Sequence, residues 1–143
     1  MIVPRPSPHK GLVSFLLYRF MQADIIVVAA GKGERMGGLL PKPYLPLFGL
    51  PLLVHTLRTI TSSSLVRKII LVIAKERELL SQELLQTHGP FSVPISLVHG
   101  GNERQDSVRL GLAALDPDSE IVAIHDAARP FLTPDILEAS INA

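Results

Sequence analysis

Glycines and positive side chains follow one strongly apolar segment of this 143-residue chain, in a pattern suited to binding phosphate. The apolar segment runs from Ile25 to Ala30 and predicts a buried strand. The glycines and cations that follow it are Gly31, Gly33, Gly37 and Gly38, with Lys32, Arg35 and Lys42. Glycine lets a backbone approach a ligand closely, and backbone N–H groups together with cationic side chains bind phosphate. The stretch therefore predicts a phosphate-binding loop after a strand.

This loop does not match the two commonest nucleotide motifs. The Walker A pattern, G-x-x-x-x-G-K-[ST], does not occur in the chain. In the dinucleotide pattern G-x-G-x-x-G, Met36 occupies the third glycine position and Gly37 follows one residue late. The glycines by themselves leave two interpretations open: a nucleotide loop of another kind, or a glycine-rich turn with solvated charges.

Asp126 follows a second apolar segment, Ile121 to Ile124, and is the best candidate for a metal ligand. Mg²⁺ is commonly held by one or two carboxylates together with substrate phosphates. The alternative is that the Asp126 carboxylate only caps the turn that follows it. Arg129 either reaches a phosphate or pairs with Asp126. His125 is expected to be packed or bonded to backbone rather than catalytic.

The charged residues Arg104 and Asp106 lie in a third segment, which begins at Gly100. They either pair with each other and hold a loop, or face a ligand. Asp106 or Ser107 is expected to cap a helix that continues through Leu115.

Strands and helices alternate along the part of the chain that must position these residues. The predicted strands are Ile25–Ala30, Lys68–Ala74, Ile95–Val98 and Ile121–Ile124. The predicted helices begin at Pro51, at Glu76, at Asp106 or Ser107, and at Thr133-Pro134. In the helix Glu76–Thr87, we expect Leu79, Leu80 and Leu84 to share one buried face. The alternation predicts an α/β fold, a mostly parallel sheet with helices on both faces.

Ligands bind such sheets beyond the carboxyl ends of the strands. The glycine loop, the segment at Gly100 and the segment at Asp126 each follow a predicted strand. We therefore expect all three to converge on one edge of the sheet and form a single site.

Composition excludes several functional classes. The chain has no cysteine, which excludes disulfides, thiolate metal sites and a cysteine nucleophile. Hydrophobic residues make up 47%, too many for a disordered chain. The net charge of +1 favours no nucleic-acid partner, and no apolar run approaches a membrane span. We expect neither nucleic acid nor a membrane as a partner.

Residues 1–22 contain no acidic residue and three prolines, and we expect them to lie outside the domain, which spans residues 23–143. They are interpreted either as a disordered or mis-assigned start, with Met21 as the natural first residue, or as a targeting segment. A secretory signal is disfavoured because Arg19 follows the apolar run. The first interpretation predicts a bacterial cytoplasmic protein, and the second allows a plastid location.

Three segments, in this order, resemble the motifs of the 2-C-methyl-D-erythritol 4-phosphate cytidylyltransferase family, within the sugar-nucleotidyltransferase superfamily. The first is A-A-G-x-G-x-R-M with P-K-x-Y-L, from Ala29 to Leu45. The second is G-G-x-x-R-x-x-S-V-x-x-G-L, from Gly100 to Leu112, and the third is H-D-A-A-R-P, from His125 to Pro130. The resemblance covers Ala23 to the end of the chain and implies a Rossmann-like fold of the nucleotidyltransferase type.

The resemblance implies an enzyme that joins CTP to 2-C-methyl-D-erythritol 4-phosphate and releases pyrophosphate, with Mg²⁺ as cofactor. It implies that Arg35 and Lys42 stabilise the transition state, and that Gly101, Asn102 and Ser107 recognise the cytosine base. Asn102 departs from the aspartate found in some members. The other implied substrate-binding residues are Ala29, Ala30, Gly31, Gly33, Asp126, Ala127 and Arg129.

Members of this family have substantially longer chains. The part beyond Ala143 is expected to contain an arm that forms a homodimer, residues that bind the polyol phosphate, and a late lysine. We therefore expect an incomplete nucleotide-binding domain whose C-terminal part is missing. Two alternatives remain open: a ribitol 5-phosphate cytidylyltransferase, and an inactive fragment that binds CTP.

Overall fold

A five-stranded, mostly parallel sheet forms the centre of the protein. The computed structural model describes residues 2–4, 22–31, 40–129 and 131–143. Its strands are β1 (Ile2–Pro4), β2 (Ala23–Ala29), β3 (Pro46–Leu47), β4 (Leu50–Pro51), β5 (Val66–Ile73), β6 (Ile95–His99) and β7 (Ile121–Asp126). Its α-helices are α1 (Leu52–Thr61), α2 (Glu78–His88), α3 (Arg104–Ala113) and α4 (Pro134–Asn142), and two 3₁₀ turns span Lys42–Tyr44 and Lys75–Arg77. The sheet order is β1-β7-β2-β5-β6, and β3 and β4 form a separate hairpin.

Strand β2 lies at the centre, paired in parallel with β5 on one side and β7 on the other. Every residue of β2 is buried. Alternate side chains point to opposite faces of a strand. Ile25 and Val27 pack in one core with residues of α1, α2 and α4, whereas Ile26 and Val28 pack in another with residues of α3. The predicted α/β fold, with helices on both faces of a mostly parallel sheet, is confirmed.

The edge of the sheet beside β7 is formed by the first residues of the chain. Strand β1, Ile2–Pro4, pairs antiparallel with β7 in the register Ile2 to Ala123. The expectation that residues 1–22 lie outside the fold is therefore wrong for these three residues. Residues 5–21 lie outside the described part of the chain, so the origin of this segment stays a prediction.

The face of helix α2 that packs against the core is not the one predicted from its leucines. Leu84 is buried, but Leu79 is 81% exposed, so the predicted face is wrong at Leu79. Leu79 lies five residues before Leu84, which is about 140° around an α-helix. Ser81 is fully buried instead, and its hydroxyl shares a 2.8 Å hydrogen bond with the hydroxyl of Tyr44, which compensates the burial of both polar groups. Burial raises the pKa of that Tyr44 phenol.

A partly buried ionic cluster joins β2 to β5 at the amino ends of the strands, opposite the edge formed by their carboxyl ends. Asp24 is 1% exposed and accepts hydrogen bonds from Arg67 Nε at 2.8 Å and Arg67 Nη2 at 2.6 Å. The hydroxyl of Ser119 also donates to Asp24. Arg67 reaches Asp118 at 3.0 Å on its exposed side. Burying a charged carboxylate is costly unless hydrogen-bond donors surround it, and Arg67 and Ser119 supply those donors to Asp24.

The helices of the described residues are short. None of them is both long and apolar enough for a membrane crossing.

Candidate active site

The carboxyl ends of β2 and β7, the segment after β6 and the Lys42–Tyr44 turn enclose a cavity of about 520 Å³. Eight residues predicted for the site line it: Ala29, Ala30, Gly31, Lys42, Gly101, Asn102, Ser107 and Asp126. They come from all three sequence segments, and the predicted convergence on one edge of the sheet is observed for the described residues.

The remaining predicted site residues fall elsewhere. Ala127 is fully buried. Arg129 is exposed, and its backbone N–H donates to the carbonyl of Asp126 at 3.1 Å. Neither belongs to the cavity lining. Among the described residues, the side chains of Arg129 and Asp126 do not form the ion pair that was one of the two interpretations of Arg129. Arg35 and Gly33 lie outside the described residues, as do Lys32, Gly37 and Gly38.

The loop between β6 and α3 depends on tight packing at two glycines. The N–H of Gly101 donates to the hydroxyl of Ser107 at 3.2 Å, and Ser107 is only 2% exposed. A Cβ atom at Gly100 would overlap Ala30 and Ser107, and one at Gly101 would overlap Asp106. These glycines therefore let the loop lie directly against the end of β2 and the first turn of α3.

Helix α3 begins earlier than predicted, at Arg104, with Glu103 as its capping residue. Asp106 occupies the third helical position, and its carboxylate accepts a hydrogen bond from the Glu103 N–H at 3.2 Å. The same carboxylate lies 3.9 Å from Arg109. The pair between Arg104 and Asp106, one of the two interpretations left open, is not observed; the Asp106 carboxylate bonds at the start of its own helix instead.

Arg104 and Glu103 line the cavity, although we did not predict them as site residues. Their position in the first turn of α3 brings them to the same edge as the glycines before them. Val28, Pro41, Pro43 and Ala128 also contribute to the lining and were not predicted. The sequence offered one signal for Arg104, its place in the second motif.

Lys42 opens the 3₁₀ turn on one wall of the cavity, and its side chain is exposed to it. The buried hydrogen bond between Tyr44 and Ser81 links this turn to α2. The Leu52 N–H at the start of α1 donates to the carbonyl of Leu45 at 2.9 Å, just after the turn. A flexible cationic side chain is thus carried on a well-anchored backbone.

Asp126 ends β7 on the facing wall. One carboxylate oxygen, Oδ1, accepts a hydrogen bond from the Ala128 N–H at 3.1 Å. Asp126 therefore does cap the turn that follows it. The carboxylate also lines the cavity. No group of three or more metal-ligating side chains occurs among residues 2–4, 22–31, 40–129 and 131–143. A single carboxylate beside open space suits Mg²⁺ only if phosphate oxygens complete its coordination.

His125 precedes Asp126 and is held by backbone. Burial lowers the pKa of its imidazole, and Nε2 lies 3.2 Å from the carbonyl of Arg129. Since a carbonyl oxygen only accepts, Nε2 carries the proton in this hydrogen bond. The prediction of a packed, backbone-bonded histidine is confirmed.

The chain matches known proteins over most of its length. The family model IspD, 2-C-methyl-D-erythritol 4-phosphate cytidylyltransferase, matches residues 23–143. A protein of that name from Alkaliphilus oremlandii (strain OhILAs) is 43% identical over 121 residues, which cover 84% of this chain and 51% of the relative. A protein of the same name from Corynebacterium diphtheriae is 42% identical over 114 residues, which cover 78% of this chain and 47% of the relative.

A solved structure shares the fold. It is the 4-diphosphocytidyl-2C-methyl-D-erythritol synthase from Anaerococcus prevotii DSM 20548, with a TM-score of 0.73 and 32% sequence identity. The match covers 85% of this chain and 50% of that one. The chain thus spans about half the length of the curated relatives it matches.

Proposed function

Because the chain belongs to the 2-C-methyl-D-erythritol 4-phosphate cytidylyltransferase family, we propose that its cavity binds CTP for cytidylyl transfer to 2-C-methyl-D-erythritol 4-phosphate. The observation that carries the proposal is the convergence of Lys42, Asp126 and the Gly101–Ser107 loop on one cavity. A nucleoside triphosphate with its metal has anionic phosphates, a bound cation and a base. Lys42 supplies a positive charge for the phosphates, Asp126 a carboxylate for the metal, and the Gly101–Ser107 loop polar groups for the base.

In the proposed reaction, a phosphate oxygen of the polyol phosphate attacks the α-phosphorus of CTP. A new P–O bond forms, the bond to the β-phosphate oxygen breaks, and pyrophosphate leaves with the electron pair. Negative charge increases on the non-bridging oxygens in the transition state. The Lys42 ammonium would stabilise this charge from one wall of the cavity, and Arg35 is proposed to act with it. The attacking phosphate is already anionic, so no general base is needed.

Asp126 is the proposed ligand of Mg²⁺, which would neutralise phosphate charge when bound. The backbone at Gly101, the Ser107 hydroxyl that the Gly101 N–H holds in place, and the side chain of Asn102 are proposed to recognise the cytosine edge. A site built to pair a base discriminates strongly, since a wrong base leaves buried polar groups unpaired.

Pyrophosphate release tests this function, measured with this chain and with a chain extended to the full length of its relatives. CTP and Mg²⁺ are supplied with either 2-C-methyl-D-erythritol 4-phosphate or ribitol 5-phosphate. The extended chain is expected to release pyrophosphate with the first acceptor alone. Release with ribitol phosphate alone would overturn the acceptor and support the related enzyme. Measurable CTP binding without release would instead support a fragment that binds the nucleotide but does not transfer it.

A homodimer and a cytoplasmic location are proposed from the family resemblance. Analytical ultracentrifugation of this chain and of a chain extended to the full length of its relatives tests the first. The extended chain is expected to sediment as a dimer.

Gly101→Ala is expected to weaken CTP binding about tenfold, because overpacking a tight contact typically costs ~1–3 kcal/mol. The added Cβ would overlap Asp106 and displace the loop proposed to recognise the base. Isothermal titration calorimetry with CTP measures the change.

Gly111→Ala is the matched control for this variant. Its added Cβ would lie 2.8 Å from Ile26 Cγ2, at the contact of α3 with β2 and outside the cavity lining. It should lower the thermal unfolding midpoint with little effect on CTP affinity. Similar affinity losses in both variants would contradict a specific role for the loop.

A further inference from the structure

Helix α1 contacts both walls of the cavity through two consecutive polar side chains. His55 bonds to the hairpin that follows the Lys42 turn, and Thr56 bonds to the turn that follows Asp126. Neither side chain lines the cavity. Thr56 is buried, His55 is partly buried, and the other buried residues of α1 are apolar. A buried hydroxyl is costly unless it is hydrogen-bonded, so the Thr56 hydroxyl depends on its contact.

Thr56 holds the wall that carries Asp126. Its side chain is 1% exposed, and its hydroxyl donates to the carbonyl of Ala127 at 3.2 Å. The N–H of Ala127 donates to the carbonyl of Val28 at 3.0 Å. The backbone immediately after Asp126 is therefore held on one side by β2 and on the other by α1. The Ala128 N–H then positions the carboxylate through Oδ1.

His55 holds the wall that carries Lys42. Its Nε2 lies 2.6 Å from the carbonyl of Leu47, which only accepts, so Nε2–H donates. Leu47 ends the first strand of the hairpin, three residues beyond the end of the Lys42–Tyr44 turn. The backbone bond from Leu52 to Leu45 makes a second link between α1 and the same segment.

We propose that His55 and Thr56 are positioning residues, through which helix α1 sets the separation between Lys42 and Asp126. This inference rests on the proposed function, because the two groups are proposed to act on the triphosphate and its Mg²⁺. The helix is a rigid spacer, and adjacent residues on it fix two walls that are more than eighty residues apart in sequence. Catalytic and binding groups lose much of their effect when displaced by about 1 Å.

Thr56→Val tests the Asp126 side of this proposal, since valine keeps the shape but removes the donor. The readout is the factor by which Mg²⁺ increases CTP affinity, obtained by calorimetry with and without the metal. We expect that factor to fall about fivefold, the effect of losing roughly one hydrogen bond. CTP affinity without metal should stay close to that of the unmodified chain.

Two further variants separate positioning from general stability. Thr56→Ser keeps the hydroxyl and should restore the Mg²⁺ factor. Thr61→Val removes a hydroxyl from the same helix that bonds only to the carbonyl of Arg58, at 3.4 Å, and should leave the factor unchanged. A normal Mg²⁺ factor in Thr56→Val, or equal losses in Thr56→Val and Thr61→Val, would overturn the proposal.

His55→Phe tests the other wall and keeps the proposal falsifiable if Thr56→Val does not fold. Here CTP affinity without metal should fall about fivefold, whereas the Mg²⁺ factor should not change. His55→Gln, which retains a donor, is the rescue variant. In a Lys42→Ala background, His55→Phe should have almost no further effect, because the two act as one unit. Additive losses would show that His55 does not act through Lys42.

The unmodified chain distinguishes this inference from the proposed function. Absence of any CTP binding by it would overturn both. CTP binding with a clear Mg²⁺ factor, unaffected by Thr56→Val and His55→Phe, would overturn the positioning role alone.

Discussion

Lys42→Ala is expected to lower the rate of pyrophosphate release by about 10²–10³-fold, the usual effect of removing one preorganised donor to transition-state charge. CTP affinity should fall far less, by about the fivefold expected for His55→Phe, because the charge on the non-bridging oxygens increases only as the reaction proceeds. The lysine is exposed to the cavity at the start of an anchored turn, so its replacement should leave the fold intact. Steady-state kinetics with CTP and 2-C-methyl-D-erythritol 4-phosphate give kcat and KM, and calorimetry gives the affinity.

Lys75→Ala is the matched control for this experiment. Lys75 is also an exposed lysine at the start of a 3₁₀ turn, but it does not line the cavity. Its replacement should change neither kcat nor KM. Equal losses of rate and of CTP affinity in Lys42→Ala would show that the lysine contributes ordinary ground-state binding. Arg35→Ala is expected to behave like Lys42→Ala.

Asp24→Asn is expected to destabilise the protein by about 3 kcal/mol, because it removes the buried carboxylate that accepts from Arg67 and Ser119 and puts an amide NH₂ donor among those donors. Arg67 donates to Asp24 through two nitrogens, at 2.8 Å and 2.6 Å, and Ser119 donates as well. Arg67 keeps some access to water, with 30% of its side chain exposed, which favours the lower end of the usual range. Equilibrium unfolding in urea at pH 7 measures the loss.

The effect of Asp24→Asn should depend on pH. Burial by itself raises the pKa of Asp24, but hydrogen bonds from Arg67 and Ser119 and the nearby positive charges bring it below the ordinary value. A lowered folded-state pKa means that the carboxylate stabilises the fold above its unfolded pKa of about 3.9. That contribution is lost as the pH falls through the folded-state value. The difference between the two proteins should therefore shrink below about pH 4.

Asp118→Asn is the control for the same cluster. Asp118 also pairs with Arg67, at 3.0 Å, but its side chain is 75% exposed. An exposed ion pair is worth about 0–1 kcal/mol, so this variant should unfold almost as the unmodified protein does. A similar loss in both variants, or a loss in Asp24→Asn that is no smaller at pH 3 than at pH 7, would contradict the role assigned to the buried carboxylate.

Much of the fold was predictable because secondary structure depends on patterns within short segments. The short apolar run that became β2 is rich in β-branched residues and predicted a strand buried on both faces, and every residue of β2 is buried. Thr133 and Pro134 predicted a helix start, and Thr133 does accept the Ile136 N–H at 3.2 Å. The convergence of three segments followed from strand direction, since parallel strands end at the same edge of a sheet.

Some helices differ from their predicted boundaries or buried faces because contacts with other elements determine both. Leu79 is an apolar residue in an amphipathic helix, yet it faces solvent because α2 turns Ser81 and Leu84 toward the core. The start of α3 moved to Arg104 because Asp106 bonds back to Glu103. A side chain's burial depends on how its helix is rotated against the sheet, and that rotation depends on contacts with distant residues.

The sequence by itself determined the class of fold, the edge of the sheet at which the site lies, and the family, because periodicity and motif order are local and linear properties. Only the tertiary structure decided how the site is held together. The pairs Tyr44–Ser81, Thr56–Ala127 and Asp24–Ser119 join residues that are far apart in the chain. No pattern in one segment specifies such a partner, since hydrogen bonds between segments depend on the packing of helices against the sheet. The glycine-rich, cationic stretch predicted a phosphate loop, and the packing of α1 against both walls decided where its lysine lies relative to Asp126.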